Sequence, residues 1–409
     1  MSVRSGPAPA RGRFDKASVR DAEVTGRTVL VRADLNVPLE NGAVADDLRI
    51  RAALPTIELL RERGARVLVC SHLGRPEGAD PELSMAPVAA RLGELLGDGV
   101  ALAPGVVGPD VKAAVAGLGD GDVMMLENVR FEAGEVANEP ALAEALTGLA
   151  DLYVNDAFGA AHRAHASTAG VAVHLPAYAG LLLERELREL TAVLDDPAEP
   201  LVVVLGGAKV TDKIGVIERF LEIADEILIG GAMCFSFFRA QGHPTGESLV
   251  EEEGVDLARE ALEFAGSSRC DLRLPTDLVL GESFSANAEP EELEGIDVPQ
   301  GMMGLDVGAR TAAAYAASIK EAGTVFWNGP MGAFELSPFA AGTRVVAEAV
   351  AGSPATTVVG GGDSGAALAA FGLADRVDWL STGGGASLEL IEGKPLPGVD
   401  ALLDEGSPG

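Results

Sequence analysis

Short apolar runs recur along the chain at 28–33, 66–70, 122–126 and 152–154, then at 201–205, 226–229, 274–280, 324–327, 356–359 and 377–380. Between them the apolar positions follow helical spacing, as in Ile50, Ala53, Leu54, Ile57 and Leu60, which would share one buried face. Continuous apolar runs alternating with amphipathic helices predict an α/β architecture built on parallel sheets. No period of repeat length recurs, which excludes a solenoid.

In such sheets ligands sit beyond the carboxyl ends of the strands, so the residues just after each run matter most. After the early runs come Asp34-Leu35-Asn36, Ser71-His72-Leu73-Gly74-Arg75, Glu127-Asn128-Val129-Arg130 and Asn155-Asp156-Ala157-Phe158. The later runs are followed by Gly206-Gly207-Ala208-Lys209, Gly230-Gly231, Asn328-Gly329-Pro330, the glycine turn at 360–365, and Thr382-Gly383-Gly384-Gly385. One set is rich in Arg and His, the other in Gly with Lys and Asp. The division predicts two domains holding two different ligands. The amphipathic stretch 181–194, with Glu184 and Arg188 spaced as a helical ion pair and Asp195-Asp196-Pro197 behind it, predicts the connector.

Composition agrees. At 409 residues and 47% apolar, the chain can build two cores. A formal charge of −31 disfavours nucleic acid and anionic membrane as partners, and it makes any basic cluster stand out. The three cysteines, Cys70, Cys234 and Cys270, form neither a disulfide framework nor a metal motif. With no long apolar run, they predict a cytoplasmic protein.

The basic cluster is Arg49, His72, Arg75, Arg130, His162, Arg163 and His165. Several converging guanidinium forks would orient a small polyanion. His162 and His165 lack a Cys, Asp or Glu partner at metal-ligand spacing. Lys209 and Lys213, two of only six lysines, stand four apart and are expected on one face of a helix opening there. No G-x-x-x-x-G-K-[ST] occurs. Glu335, in Asn328-Gly329-Pro330-Met331-Gly332-Ala333-Phe334-Glu335, could accept from ribose hydroxyls or cap a helix. Gly360, Gly362 and Gly365 satisfy G-x-G-x-x-G with Asp378 downstream, which alone would suggest a dinucleotide site. Asp363 argues otherwise: a carboxylate beside a phosphate cradle calls for a bridging cation, and Mg²⁺ is the economical choice.

From about Lys16 onward the segments VRADLNVPL, SHLGRP, ENVRF, YVNDAFGAAHRAH, LGGAKVTDKI, MGLDVG, WNGPMGAFE, GGGDS and STGGGASLELIEGKPLPGVDAL resemble phosphoglycerate kinases. The resemblance implies two Rossmann-like three-layer lobes joined by a hinge helix. The N-terminal lobe would span 1–180 and bind phosphoglycerate, the C-terminal lobe would span 181–395 and bind Mg-nucleotide, and 396–409 would return to the first. It implies that Asp34, Leu35, Asn36, Arg49, His72, Leu73, Gly74, Arg75, Arg130 and Arg163 hold 3-phosphoglycerate or 1,3-bisphosphoglycerate. Lys209, Lys213, Gly304, Glu335, Gly361, Gly362, Asp363 and Ser364 would hold ADP or ATP, with Asp363 the protein ligand of Mg²⁺. Arg49, Lys213 and the helix N-terminus at Gly384 would act on the moving phosphoryl group, and closure of a monomer would exclude water. Two readings compete: a nicotinamide-dependent dehydrogenase, resting on the glycine fingerprint, and a non-catalytic bilobal anion-binding protein.

Overall fold

The computed structural model describes residues 14–407, so the first dozen residues, read from sequence as a loose tail, lie outside it. The chain divides into two compact units, Phe14–Arg188 with the segment from Lys394 onward, and Glu189–Gly393.

In the first unit Thr28–Ala33 is central to a six-stranded sheet. From edge to edge the strands are Ala101–Leu102, Val123–Met125, Arg66–Cys70, Thr28–Ala33, Leu152–Asp156 and Ala177–Ala179. Every pairing is parallel, in a register that sets Val29 beside Val67 and Leu152. Val29, Val31 and Ala33 face one way, onto Ile50, Ile57 and Leu60 of the helix Leu48–Glu62 and Val88 and Leu92 of the helix Ala86–Leu96. Leu30 and Tyr153 point to the opposite face, where the Tyr153 hydroxyl donates to the Ser167 carbonyl (2.9 Å). The C-terminal segment is stitched to this unit: Ala17 N–H donates to Leu403 O (2.7 Å), Leu403 N–H to Ala177 O (3.0 Å) and Asn155 Nδ2 to Gly398 O (2.8 Å).

The second unit repeats the plan with the order Asp271–Arg273, Glu226–Ile229, Leu201–Leu205, Thr324–Asn328, Thr356–Gly360, Trp379–Leu380, again wholly parallel. In chain order this is the 3-2-1-4-5-6 arrangement of doubly wound folds, with its switch point between Leu201–Leu205 and Thr324–Asn328. Val202, Val204, Val325 and Trp327 pack under the helices Ala309–Glu321 and Ala341–Gly352, while Phe326 meets Phe220 of the helix Ile214–Ile223 on the other side (5.3 Å between ring centroids). Both units are therefore three-layered.

Three expectations need correcting. The run 274–280 is not one strand: Asp271–Arg273 closes the edge of the parallel sheet. Leu278–Gly281 then joins Glu291–Leu293 and Met303–Val307 in a separate antiparallel sheet. Pro275, which cannot donate to a ladder, falls between the two strands. Asn155 and Asp156 do not follow their strand but belong to it, and both are fully buried. The lysine pair does not share a helix face, because the helix begins at Ile214. Lys209 is exposed in the preceding turn and Lys213 is buried at the N-cap.

Asp156 has a structural task. Its Oδ1 accepts from Leu182 N (2.9 Å) and Leu183 N (3.3 Å), the first turn of the helix Leu181–Asp195, while its Oδ2 is buried without a partner. Burial raises its carboxyl to about 6, opposed first by the Thr56 hydroxyl and then by the Leu183 and Leu182 N–H groups. The folded pKa lies above the unfolded one, so native stability is greatest below about pH 4 from this group. It falls as the unfolded chain ionises and levels off once pH passes about 6. Asp156→Asn keeps the acceptor and removes the ionisation. Its unfolding free energy in urea should match that of the parent at low pH and rise above it between pH 4 and 6, by up to roughly 3 kcal/mol. A difference that stays constant with pH would refute this account.

Candidate active site

In the first unit the turns after three adjacent strands lock together. Ser71 Oγ accepts from Leu35 N (2.9 Å), Asn36 Oδ1 from Gly74 N (2.9 Å), and Asn128 Oδ1 from Leu73 N (3.3 Å) and Arg130 N (3.1 Å). Leu35 and Leu73 belong to the core, so any ligand they touch meets their backbone. Asp34 Oδ2 accepts from Arg49 Nη1 (3.0 Å), which extends from the first turn of the helix Leu48–Glu62.

Beside these turns lies a cavity of about 460 Å³ lined by Arg75, Arg130, Arg163 and His165, with Glu77 and Glu132 at its wall. None of the three arginines forms an ion pair among the described residues. Arg130 donates through Nη1 to Gly74 O, but its Nε is buried with no partner. Burial, followed by the charges of Arg163 and Arg32, pulls its pKa down. Three arginines without an ion pair around one cavity stand out in a chain of net charge −31. Of the other basic residues, His165 backs onto the buried Glu135 (Nδ1 to Oε1, 3.7 Å), and burial lowers it to about 4. His72 is also buried, and His162 Nε2 accepts from Arg163 Nε (3.0 Å). Arg32 and Glu135 were not expected in this network. A lone arginine inside the apolar run VLVRA was the available signal.

The second unit holds a cavity of about 530 Å³ at the carboxyl ends of its strands. Apolar walls come from Phe235, Leu249, Leu278 and Phe284, backbone from Gly207, Gly231, Gly304 and Pro330, and carboxylates from Glu335 and Asp363. Gly231 has φ +65° and its missing side chain would overlap the backbone of Gly207, so only glycine lets these two turns meet. Glu335 is exposed at this cavity and caps no helix. Asp363 stands in the first turn of the helix Gly362–Ala370, whose N-cap is Gly361, with no ion pair among the described residues. Ser364 is fully buried, and its Oγ accepts from Gly329 N (2.6 Å).

Lys213 sits at the switch point. Its Nζ donates to Gly206 O (2.6 Å), Asn328 O (2.8 Å) and Asn328 Oδ1 (2.6 Å), the ends of the two strands that flank it. Burial lowers its pKa to about 8, with Asp363 and then Asp212 opposing. Asn328, itself only 4% exposed, keeps an Nδ2 with no partner. The turn at Gly384 (φ +52°) precedes the helix Gly385–Ile391 and is tied by Gly383 N to Ser381 Oγ (3.1 Å). Asp378 is structural: it accepts from Thr357 N and Oγ1 (both 2.9 Å) beside the edge strand Trp379–Leu380. The glycine fingerprint follows the fifth strand of its sheet rather than the first, where a dinucleotide fold carries it.

The family model described as "Phosphoglycerate kinase" matches residues 19–394. The chain belongs to the phosphoglycerate kinase family. It is 55% identical over 95% of its length to the phosphoglycerate kinase of Rubrobacter xylanophilus (98% of that protein) and 52% identical over 95% to that of Roseiflexus sp. (99% of that protein). Among solved structures, the Coxiella burnetii phosphoglycerate kinase aligns with a TM-score of 0.84 at 42% identity, covering 94% of this chain and 98% of the other. Membership makes the chain a phosphotransferase, a kinase of glycolysis.

Proposed function

We propose that the arginine cavity binds phosphoglycerate, that the apolar and glycine-lined cavity binds the nucleotide, and that the chain transfers a phosphoryl group between 1,3-bisphosphoglycerate and ADP. The observation that carries this reading is the trio Arg75, Arg130 and Arg163, unpaired around one cavity with a buried guanidinium N–H unspent. Asp34, Asn36 and His72 lie on the turns beside it, Arg49 reaches Asp34 from the helix Leu48–Glu62, and Leu35, Leu73 and Gly74 contribute backbone. In the second unit Gly304 lines the cavity, Gly361 and Gly362 form the helix start that presents Asp363 to it, Glu335 would face the ribose, Lys209 stands beside it, and Ser364 holds the Gly329 turn.

A single carboxylate at a helix N-terminus fits a magnesium ion carried on nucleotide phosphates, and no cluster of three or more candidate ligands exists among the described residues. Asp363 would hold that ion. When bound, it would neutralise phosphate charge.

In the glycolytic direction an oxygen of the ADP β-phosphate attacks the acyl phosphorus, the acyl P–O bond breaks, and 3-phosphoglycerate leaves as a carboxylate. In reverse the attacking carboxylate is already ionised, its pKa being about 3.5. No proton moves, so the transfer needs no general base. What the residues supply is alignment and countercharge, through Arg49, Lys213 and the N–H groups at Gly384. Donor and acceptor are assigned to different units. Transfer then requires the monomer to close, the hinge being the helix Leu181–Asp195, and a cytoplasmic setting supplies both substrates.

A coupled assay with 1,3-bisphosphoglycerate and ADP tests the reaction directly. Arg130→Met should raise the KM for 3-phosphoglycerate at least tenfold while the KM for ATP moves less than twofold. Equal effects on both would place the arginines outside the phosphoglycerate site. Titration with NADH should show no binding, which separates this reading from a dehydrogenase.

A further inference from the structure

Arg32 is the one charged residue inside the central strand of the first unit, and it is 1% exposed. It cannot touch a ligand, so its task lies in what it bonds. Nε donates to Ser167 Oγ (2.9 Å), Nη1 to the Ala33 carbonyl, and Nη2 lies 3.1 Å from His72 Nδ1. Its charge is balanced through Ser167, whose Oγ donates to Glu135 Oε1 (2.6 Å) and whose N–H donates to Glu135 Oε2 (3.0 Å). Glu135 is fully buried, so the two buried opposite charges are linked through one hydroxyl.

A guanidinium has donors only, so in the contact with His72 the imidazole Nδ1 must be the acceptor. The ring proton therefore resides on Nε2. That atom has no hydrogen-bond partner among the described residues. Protonating both nitrogens would set an N–H against an N–H. Burial, then the charges of Arg32, Arg130, His165 and Arg49, holds the ring well below its ordinary pKa and so neutral.

We propose that Arg32 is a positioning residue that fixes His72 as its Nε2–H tautomer, so that a neutral imidazole donates one oriented hydrogen bond to the phosphoglycerate anion. This rests on the reading of the basic turns as the phosphoglycerate site. A neutral donor adds direction without adding a further cation to a site already crowded with guanidinium groups, where like charges repel. The tautomer matters because the wrong one would present a lone pair to the anion.

The test uses the full chain. In ¹⁵N-labelled protein near pH 7.5, His72 should show the Nε2-protonated pattern, and Arg32→Lys should convert it to a mixture. A wild-type Nδ1–H or mixed pattern overturns the proposal outright, even if every Arg32 variant fails to fold. In kinetics, Arg32→Lys should raise the KM for 3-phosphoglycerate about tenfold with kcat and the KM for ATP within twofold. In a His72→Gln background the carboxamide N–H replaces the Nε2 donor and has no tautomer, so Arg32→Lys should then add less than twofold. Equal effects in the two backgrounds would show mere structural support and refute the role. If His72→Ala leaves the 3-phosphoglycerate KM unchanged, the site reading itself is wrong. If it raises that KM while the cycle is additive, the site stands and the role of Arg32 falls.

Discussion

Replacing Lys213 with alanine should lower kcat by roughly 10²–10³-fold while the KM for ADP changes less than about threefold. The expectation comes from how the ammonium is held. Its three donors meet only neutral oxygens, two on Asn328 and one on Gly206, and it has no carboxylate within ion-pairing distance among the described residues. A buried cation with neutral partners is an uncompensated charge, and that is why its pKa falls to about 8. Exchanging a carbonyl for an oxygen of the moving phosphoryl group turns a neutral hydrogen bond into a charge-assisted one, and the gain is largest when that oxygen carries most charge. Lysine is also suited to the position by size. The methyl of an alanine at Gly329, where φ is +95°, would overlap the Gly206 carbonyl and stand 2.7 Å from Nζ, so the two strand-end turns and the ammonium leave no room for a side chain there. The same depressed pKa fixes a pH dependence. In the free enzyme the ammonium is present below about 8 and lost above it, so kcat/KM for the nucleotide should fall as pH rises through about 8. The alanine variant should lack that limb. An effect confined to KM, or an unchanged alkaline limb, would remove Lys213 from the transfer step.

The sequence shows most clearly what is buried on both faces. The strands at 28–33, 66–70, 201–205 and 226–229 match their apolar runs end to end, because a central parallel strand must be apolar at consecutive positions. Edge strands carry no such demand. Ala101–Leu102 and Ala177–Ala179 are two and three residues long and rich in alanine, and they escape a search for apolar runs. The antiparallel sheet was hidden for a related reason: Glu291–Leu293 is mostly exposed and Met303–Val307 is broken by Gly304 and Asp306. At the site, strand-end position located Asp34, Arg75, Arg130 and Asp363 without knowledge of any contact. It could not reveal that Lys213 precedes its helix. That depends on Thr211 being tied to Glu251, forty positions on, through its N–H (3.0 Å) and its Oγ1 (2.5 Å). Nor could it reveal Arg32, which lies within a strand. A rule that looks past strand ends for chemistry does not see the group that orients it from below.

Arg49→Ala is expected to be as damaging to turnover as the lysine substitution and far less visible in stability. The guanidinium rises from the first turn of the helix Leu48–Glu62 and uses a single nitrogen at rest, Nη1, which donates to Asp34 Oδ2 (3.0 Å) and to the Asn36 carbonyl (3.4 Å). Nε and Nη2 have no partner among the described residues, which leaves one edge of the fork available for a phosphoryl oxygen. Asp34 holds the side chain in place yet is the more buried of the two, 9% against 37% exposed, so the cation reaches outward from an anchored base. A partly exposed pair of this kind contributes about 0–1 kcal/mol to folding, so the unfolding midpoint should hardly move. Turnover should fall by roughly 10²-fold or more, because the lost contact serves charge spread over the equatorial oxygens of the transition state. Arg49→Lys should recover little of it: a compact ammonium cannot keep Asp34 on one nitrogen while offering two others in a plane. Near-normal kcat in Arg49→Ala, measured at saturating concentrations of both substrates, would mean that this arginine only frames the phosphoglycerate. The countercharge would then have to come from Lys213 and the N–H groups at Gly384 alone.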